Sequence, residues 1–431
     1  MVPNGFQHVL GLGNFPSDWL ITSADEITEK ITKGTTPPKS EIVDDKKIPF
    51  LRVNNLGFNG SLKSNSEMLF VTEDAHNGFL SRSIAYPNDI LMNIVGPPLG
   101  KIAMLGSEYP EYNMNQAVLI YRCKEQLIDN GYFLSFLGSE LAQQWLQSRS
   151  KKTSGQQNLT IQLCKELPTP VPPLPEQRKI AKTLSTWDKA IATTEKLIET
   201  SKQQKKALMQ QLLTGKKRLV NPETGKVFEG KWEEVKVSQF GSVVSGGTPS
   251  TENSSYWNGN VHWVTPTDIT KLSTRTINKT ARTITEQGLK NSSAKLVPAG
   301  SLLVCTRATI GEIAISQHEM CTNQGFKNLI PNKRTNIDFL YYLMCFEKHK
   351  LLSKASGSTF LELSKKDFEH IRFVVPKVKE QQKIASVLIV ADKEVEVLEA
   401  KLAHFKQEKK ALMQQLLTGK RRVKVDEMEA A

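Results

Sequence analysis

A segment of twelve residues occurs twice in this chain, and it constrains the fold more than any other feature. The segment KKALMQQLLTGK occupies residues 205–216 and returns letter for letter at residues 409–420, an offset of 204 residues. When both copies are extended backwards without a gap, residues 176–216 and 380–420 agree at 23 of 41 positions. A repeat with a period the size of a domain predicts a duplication, in which a domain and a helix alternate twice.

The repeated segment has the apolar periodicity of a long helix. In both copies apolar positions recur at alternating steps of four and three residues, which is the seam of a helix that packs along another helix. The seam residues are Ile180, Leu184, Trp187, Ile191, Ile198, Leu208 and Leu212 in the first copy, and Ile384, Leu388, Val395, Leu398, Leu402, Phe405, Leu412 and Leu416 in the second. Prolines 172, 173 and 175 suit the helix entry, and Gly215 and Gly419 suit left-handed caps. The predicted helix has ~38 residues and is ~57 Å long.

Each helix has a single apolar stripe, which needs a partner. Lys205 and Lys409 are the polar members of the two seams, at matching positions, where a polar residue fixes register at some cost in stability. The interpretation that accounts for both stripes is an antiparallel coiled coil, which would relate the two halves by a pseudo-two-fold axis. The alternative is that each helix covers its own domain.

The charge of the chain favours a nucleic-acid partner without proving one. The net charge is +13 and the pI is near 9.3. Residues 176–218 hold 11 basic and 4 acidic side chains, and residues 380–422 hold 9 and 6, so the helices carry most of the excess. That excess could belong to a solvated helix face, and charge alone therefore leaves DNA binding open.

The length, the cysteines and the hydropathy of the chain limit the class of protein to which it can belong. A chain of 431 residues is expected to form two or three domains. The five cysteines are scattered and form no CxxC pair, which favours a reducing compartment and argues against structural zinc. No basic region followed by an apolar run opens the chain, and no apolar stretch approaches membrane-spanning length. These features predict a soluble cytoplasmic protein without a membrane partner.

Residues 1–170 and 221–375 share one plan at much weaker identity than the helices. Both are predicted to be mixed α/β, with polar residues 148–158 of the first expected to form a loop. The matching elements are Gly34-Thr35-Thr36-Pro37 with Gly246-Gly247-Thr248-Pro249, Asn115-Gln116 with Asn323-Gln324, and Trp19 with Trp232. Two domains with the same scaffold and different loops predict two related binding sites that recognise different targets.

Motifs of catalysis are missing from the sequence. It contains no GxxxxGK[ST] phosphate loop, no HExxH or GxSxG, and no Asn-Pro-Pro-Tyr/Phe motif of the kind that adenine methyltransferases use to hold a flipped base. A binding protein fits these absences best, and catalytic or metal-binding residues are expected to be absent.

At this point the repeated residues show a family resemblance. Residues 171–181, the long heptad helix and Leu212-Leu213-Thr214-Gly215-Lys216 resemble the central conserved region of specificity subunits from type I restriction-modification systems. Residues 375–420 are similar to the distal copy, with Lys377-Val378-Lys379 in place of Pro173-Leu174-Pro175. The resemblance implies an α+β fold, with target recognition domains at 1–170 and 221–375, helical regions at 171–220 and 376–425, and a tail at 426–431.

The resemblance also implies a function. Such a subunit is not itself catalytic: each recognition domain reads one half of a bipartite target in double-stranded DNA, and the helices set the spacing between the half-sites. Two methylation subunits, which bind S-adenosylmethionine, dock on the helices and their flanks. Restriction and translocation subunits, which use ATP and Mg²⁺, complete the complex. This chain would bind no cofactor.

Candidate DNA-contacting residues are polar and lie in loops matched between the domains. Arginine suits guanine, and Asn or Gln suits adenine, because their donors and acceptors fit the major-groove edges. In the first domain the candidates are Arg52, Asn54, Asn55, Arg149, Lys151, Lys152, Gln156, Gln157 and Asn158. In the second they are Thr265, Thr267, Arg275, Arg282, Arg307, Lys354 and Ser358. Each could also be a solvated loop side chain.

Two functional hypotheses follow from the sequence. The first is the specificity subunit, and the second is a coiled-coil scaffold whose paired domains bind proteins. Only the first predicts DNA affinity that falls steeply with salt, because phosphate contacts release counterions. A third and weaker hypothesis, an enzyme with unrecognised chemistry, would need a substrate turned over by the isolated chain.

Overall fold

The described residues of the computed structural model form two compact units. The model describes residues 2–63, 67–153, 156–357 and 361–425. The first unit comprises residues up to Glu195 together with those from Ala400 onwards, and the second comprises Lys196–Glu399. Each unit therefore contains one mixed α/β domain, the first half of one long helix and the second half of the other.

The first unit begins with strands and short helices that lead into the first long helix. Its strands are β1 (Phe6–Val9), β2 (Gly13–Pro16), β3 (Leu20–Ser23), β4 (Thr28–Lys33), β5 (Ile42–Val43), β6 (Ile48–Leu51), β7 (Leu69–Val71), β8 (Ile90–Asn93), β9 (Val95–Gly96), β10 (Ile102–Met104), β11 (Asn113–Met114), β12 (Val118–Cys123), β13 (Lys151–Thr153), β14 (Gln156–Asn158) and β15 (Pro168–Val171). Its helices are α1 (Glu73–Asn77), α2 (Asn130–Leu137), α3 (Glu140–Ser148), α4 (Ile161–Lys165) and the long α5 (Leu174–Leu212), which continues into the second unit.

Two four-stranded sheets organise this domain. One has the order β10-β8-β12-β4 and is antiparallel throughout. The other has the order β11-β6-β7-β5, and its β11–β6 pair is parallel. Strand β8 is buried at all four residues, as expected for a central strand covered on both faces. Helices α2 and α3 pack on this core with Phe133, Phe136 and Leu146.

The second unit repeats this plan with its own connections. Its strands are β16 (Glu233–Lys236), β17 (Gly241–Ser245), β18 (Trp257–Val264), β19 (Thr276–Ile277), β20 (Arg282–Ile284), β21 (Leu302–Cys305), β22 (Ile313–Ser316), β23 (Cys321–Thr322), β24 (Phe326–Pro331) and β25 (Arg372–Val375). Its helices are α6 (Val237–Phe240), α7 (Pro266–Thr270), α8 (Glu286–Lys290), α9 (Ile337–Phe346), α10 (Lys348–Leu352), α11 (Lys365–His370) and α12 (Val378–Leu416), the second long helix.

The sheets of the second domain correspond to those of the first. The antiparallel strand order β17-β24-β21-β22 corresponds to the order β4-β12-β8-β10 of the first domain. Strand β19 is added at the β22 edge and runs parallel to β22. The parallel pair β18–β23 corresponds to the parallel pair β6–β11 of the first domain. The mixed α/β class predicted for both domains is therefore confirmed.

The two long helices have the length and the ends that the repeat predicts. Helices α5 and α12 contain 39 residues each, and both of their boundaries differ by the repeat offset. Gly215 and Gly419 follow them with φ of +68° and +65°, the left-handed conformation that favours glycine. Helix α12 starts in register with α5 although Lys377-Val378-Lys379 stands where the first copy has two prolines.

Within each unit the two helix segments run antiparallel. In the first unit Trp187 and Phe405 meet edge to face, with ring centroids 5.7 Å apart. The seam lysine Lys409 forms an ion pair with Asp188 at 2.5 Å. In the second unit the matching lysine, Lys205, forms an ion pair with Asp392. Each seam lysine is thus neutralised by an aspartate of the other helix.

The helix segments also complete the domain cores. In the first unit Ile180, Leu184, Leu416 and Leu417 are buried in the core of the recognition domain. In the second unit Leu212, Leu213, Ile384 and Leu388 occupy the corresponding place. Of the other seam residues, Ile198 and Val395 are buried, and Leu208 and Leu412 pack partly buried against these cores. Each domain is therefore covered by residues of both helices.

One local prediction was wrong. Residues 148–158 are predicted to form a loop, but the described part contains strands β13 and β14, which pair with each other, and β14 also pairs with β9. Gln157 lies opposite Gly96 in this ladder. The segment has no apolar alternation, so its strand character comes from tertiary pairing with β9 and not from a local pattern.

Two general features concern only the described residues. No helix among them is long and apolar enough to span a membrane. Across the same ranges, no three His, Cys, Asp or Glu side chains are grouped so that they could hold a metal ion.

Candidate nucleic-acid interface

The parallel strand pair of each domain ends in a turn of the same construction. In the first domain Asn115 follows β11, and its N–H donates to the carbonyl of Leu51 at 3.0 Å. In the second domain Asn323 follows β23, and its N–H donates to the carbonyl of Val264, also at 3.0 Å. We call Asn115-Gln116 and Asn323-Gln324, together with this turn, the Asn-Gln corner.

The asparagine side chain holds each corner in shape. Its Oδ1 accepts from the N–H two residues ahead, Ala117 at 3.2 Å and Gly325 at 2.9 Å. Asparagine favours such turns because its side chain reaches its own backbone two residues on. The glutamines that follow, Gln116 and Gln324, are left exposed to solvent.

A glycine packs against each corner at a distance that no side chain permits. A Cβ on Gly34 would lie 2.0 Å from the carbonyl oxygen of Met114, and one on Gly246 would lie 1.9 Å from that of Asn323. The residues after them, Thr35 and Gly247, donate their N–H groups to Met114 and Thr322. The close backbone approach explains why both Thr-Pro turns begin with glycine.

Substituting Gly34 by alanine is expected to destabilise the first domain by about 1–3 kcal/mol, because the added methyl overlaps backbone that cannot give way. The measurement is the midpoint of thermal unfolding. Gly106→Ala is the control, since a Cβ there meets nothing within 4 Å. Equal effects of the two substitutions would contradict the assignment.

A second repeated arrangement lies at the helix ends, and we call it the helix-end node. In the first unit the Arg422 guanidinium donates to both oxygens of Glu176, each at 2.7 Å, and lies 5.7 Å from the Trp19 ring. In the second unit Arg218 donates to Glu380 at 2.5 and 2.8 Å, and lies 5.9 Å from Trp232. The glutamates are only 4% and 3% exposed, whereas the arginine side chains are 43% exposed at Arg422 and 23% at Arg218, so each pair is buried on its carboxylate side.

The glutamine beside each glutamate fastens the helix start to the recognition domain. Gln177 Oε1 accepts from the Asp129 N–H at 2.7 Å, directly before α2. Gln381 Oε1 accepts from the Asn336 N–H at 3.0 Å, directly before α9. In the first unit Arg422 also donates to Asp18 and holds the pKa of that carboxyl below its usual range. The Glu-Gln pair of the repeat thus joins three chain segments in each unit.

Sequence reasoning missed the helix-end node, although a signal was present. Glu176 and Glu380, and likewise Arg218 and Arg422, are related by the repeat offset. The sequence alone leaves open that these charged residues belong to a solvated helix face. Each glutamate pairs with the arginine that follows the other long helix, so the pairing cannot be inferred from one segment alone.

The structure separates the candidates of the first domain into different environments. Arg52 forms an ion pair with Glu67 at 3.1 Å, and Asn55 is buried, where its Oδ1 accepts from the Arg52 N–H. The Arg149 guanidinium lies 4.4 Å from the Trp145 ring. Gln157 donates to Gln147 and to Ser150 Oγ. The remaining candidates lie as follows: Asn54 is exposed, Asn158 is partly buried at the end of β14, and Lys151, Lys152 and Gln156 belong to the β13–β14 hairpin, where the backbone alone is described.

The candidates of the second domain also differ in their surroundings. Arg282 stacks on Trp257, with the guanidinium 3.7 Å from the ring centroid, while Arg275 forms an ion pair with Asp338 at 2.9 Å. Arg307 lies 3.9 Å from a Glu362 oxygen. Of the rest, Thr265 donates to Asp268, Thr267 and Lys354 are exposed, and Ser358 lies outside the described residues.

Part of the second set is brought together. Asp268 accepts from Thr265 Oγ1 and from the Ala281 N–H, which places the Thr265 turn beside the strand that starts at Arg282. Arg275 lies elsewhere, in a groove lined by Lys205 and Asp392. The ion pair with Asp338 offsets its charge, so Arg275 is a weaker candidate than the tryptophan-stacked Arg282.

Comparison with known families decides what kind of protein carries these features. The family model described as type I restriction modification DNA specificity domain matches residues 16–203 and 229–407. The chain belongs to this family. The two matches follow the internal duplication, one for each recognition domain with most of its long helix.

Curated relatives of this specificity-domain protein are also specificity subunits. The type I restriction enzyme MjaIX specificity subunit of Methanocaldococcus jannaschii is 38% identical over 170 residues, which are 38% of this chain and 39% of that protein. The putative type I restriction enzyme MjaX specificity subunit of the same organism is 27% identical over 424 residues, 96% of both chains. Neither name supports the scaffold hypothesis.

Solved structures share the fold. The crystal structure of a type I restriction-modification S subunit from M. genitalium superposes with a TM-score of 0.59 at 16% identity, over 96% of this chain and 97% of that one. A chain from a structural study of type I R-M complex assembly gives a TM-score of 0.58, also at 16% identity, over 94% and 99%.

Proposed function

We propose that this chain is the DNA specificity subunit of a type I restriction-modification complex. In this proposal each recognition domain reads one half of a bipartite target in double-stranded DNA. The observation that carries it is the paired match to the specificity-domain family, one match in each half of the chain. The repeated Asn-Gln corner supports it, because two like frames with unlike loops suit two different half-sites.

The long helices then set the distance between the half-sites. Their seam residues and ion pairs fix the pairing of helix segments within each unit, so each recognition domain has a defined attachment at the helix-end node. A rigid spacer converts helix length into half-site separation, as dimer geometry does in other DNA-binding proteins.

Methylation subunits are the partners proposed for the helices and their flanks. In the first unit a groove of about 820 Å³ lies between α3 and the two helices. Leu141, Ile191 and Met413 contribute apolar surface to it, and Lys406 and Lys410 line it as ion pairs with Glu195 and Glu140. A groove lined by both apolar and paired charged side chains is suited to dock a protein partner.

Catalysis belongs to the partners in this proposal. Methylation subunits would supply S-adenosylmethionine and the methyl transfer, and restriction subunits would supply ATP-driven translocation and cleavage with Mg²⁺. The role of this chain is to choose the site and to hold the complex there.

The decisive experiment is methylome sequencing in a host without DNA methylation, with this chain co-expressed with the methylation subunit of its system. The expected result is a split adenine-methylated motif that disappears when this chain is omitted. A stable complex without methylation would call for a binding measurement against salt. Affinity for duplex DNA that does not depend on salt would refute the proposal.

A further inference from the structure

We propose that the Asn-Gln corner of each recognition domain contacts the phosphate backbone of DNA and reads no base. Gln116 and Arg82 would form this contact in the first domain, and Gln324 and Arg307 in the second. The inference rests on the proposed function and deepens it, because it divides the DNA surface into a part that positions the duplex and a part that specifies sequence. Neither glutamine nor Arg82 was among the candidates from sequence.

The first argument is that the corner is the same in both domains. Five hydrogen bonds, all donated by a backbone N–H, match one to one between the domains. Three belong to the asparagine turn: Asn115 to the Leu51 carbonyl with Asn323 to that of Val264, Ala117 to Asn115 Oδ1 with Gly325 to Asn323 Oδ1, and Val118 to the Asn115 carbonyl with Phe326 to that of Asn323. Two belong to the glycine turn: Gly34 to the Val118 carbonyl with Gly246 to that of Phe326, and Thr35 to the Met114 carbonyl with Gly247 to that of Thr322. Of the parts of DNA that two domains reading different half-sites would contact, only the phosphodiester backbone is the same at both half-sites. The corner that both domains share is therefore suited to contact the phosphate backbone, and the loops that differ between the domains are suited to read the bases.

The second argument concerns the glutamine at each corner. Both glutamines are exposed at the turn, where the Asx-type hydrogen bond fixes the backbone. In the second domain Thr248 Oγ1 donates to Gln324 Oε1, which leaves the amide N–H₂ as the free end of the side chain. Glutamine side chains donate to phosphate oxygens in protein–DNA interfaces.

The third argument is that each corner has an exposed arginine beside it. Arg82 donates to Thr35 Oγ1 at 2.9 Å, and Thr35 is the residue that pairs with the corner backbone. The Cβ of Arg307 lies 3.7 Å from the position that a Cβ would take on Gly325, the next residue after Gln324. A guanidinium next to an amide gives the charge-assisted and neutral donors that a phosphate accepts.

A carboxylate modulates the second corner. Glu362 pairs with Arg307 through the backbone as well as through the side chain, and both side chains are about half exposed. In the protein without DNA, the Glu362 carboxylate therefore lies beside Arg307, where it would repel a DNA phosphate that contacts this arginine. Removing its charge should strengthen DNA binding, and this outcome has the opposite sign to that of removing Arg307.

The test uses the full chain assembled with its methylation subunits. Affinity for a target duplex and for an unrelated duplex is measured over a range of salt concentrations for Arg307→Gln, Gln324→Ala, Arg82→Gln, Gln116→Ala and Glu362→Gln. Arg334→Gln, beyond the opposite end of β24, and Glu233→Gln on β16 are the matched charge controls. Thermal unfolding confirms that each variant is folded, and methylome sequencing reads its motif.

We expect Arg307→Gln and Arg82→Gln to weaken binding of both duplexes by a similar factor, roughly tenfold, and to lower the salt slope by about one. The alanine variants should show smaller losses, Glu362→Gln a gain of a few-fold, and all should keep the wild-type motif. A changed half-site in any variant would reassign the corner to base reading. Variants that match their charge controls, while wild type binds DNA with a steep salt slope, would refute this inference alone. Wild type without such a slope would refute the proposed function as well.

Discussion

Replacing Arg218 with methionine is expected to destabilise the second unit by about 3–5 kcal/mol, because it leaves the Glu380 carboxylate buried without its partner. Glu380 is 3% exposed, and both of its oxygens accept from Arg218 in the native chain. The same loss would free the chain segment that carries Trp232, since Arg218 also donates to the carbonyl of Gly230. Calorimetry should show one unfolding transition moved to lower temperature and the other unchanged.

The internal repeat supplies the control for this experiment. Arg422→Met should lower the transition of the first unit and leave that of the second in place. A double variant, Arg218→Met with Glu380→Met, should recover much of the loss, because no carboxylate is then left buried without its cation. A double variant as unstable as the sum of two single variants would show that the pair is not the source of the effect.

Inserting seven residues into each long helix is expected to lengthen the gap between the half-sites by about three base pairs. Seven helical residues add ~10.5 Å, and one base pair occupies ~3.4 Å. The insertions belong after Glu195 in α5 and after Glu399 in α12, where the chain passes from one unit to the other. Every contact described within either unit is then kept, and a full heptad preserves the phase of the seam.

Methylome sequencing of the insertion variant is the measurement. Both half-site sequences should remain those of the wild type, while the spacer between them grows. Insertion of two residues in each helix is the control, because it turns the apolar stripe away from its partner and should abolish a stable subunit. An unchanged spacer in the seven-residue variant, or an altered half-site, would refute the role of the helices as a spacer.

The helical part of the fold could be predicted from sequence because its signals are local and repeated. The heptad seam, the glycines after the last apolar pair and the identical segment all lie within one stretch of chain, and the structure confirms the length and caps of both helices. The paired match of the domains was also visible, since Asn115-Gln116 and Asn323-Gln324 agree in the sequence.

The remaining features depend on partners that are distant in the chain. Strands β13 and β14 pair with each other, and β14 pairs with β9, which polar composition does not reveal. Several candidate arginines prove to be paired: Asp338 binds Arg275, and Glu67 binds Arg52. Such pairs bring together residues of the same unit that are far apart in sequence. The individual DNA contacts therefore remain predictions.

The composition of the two units has a consequence for synthesis on the ribosome. The second unit is one continuous stretch, Lys196–Glu399, whereas the first needs residues from Ala400 onwards to cover Ile180 and Leu184 and to reach Glu176. At a translation rate of about 5–20 residues per second, the chain from 195 to 425 takes roughly 10–50 s to appear. The domain that is made first is thus the last to close, and its apolar helix face stays open to chaperones throughout that interval.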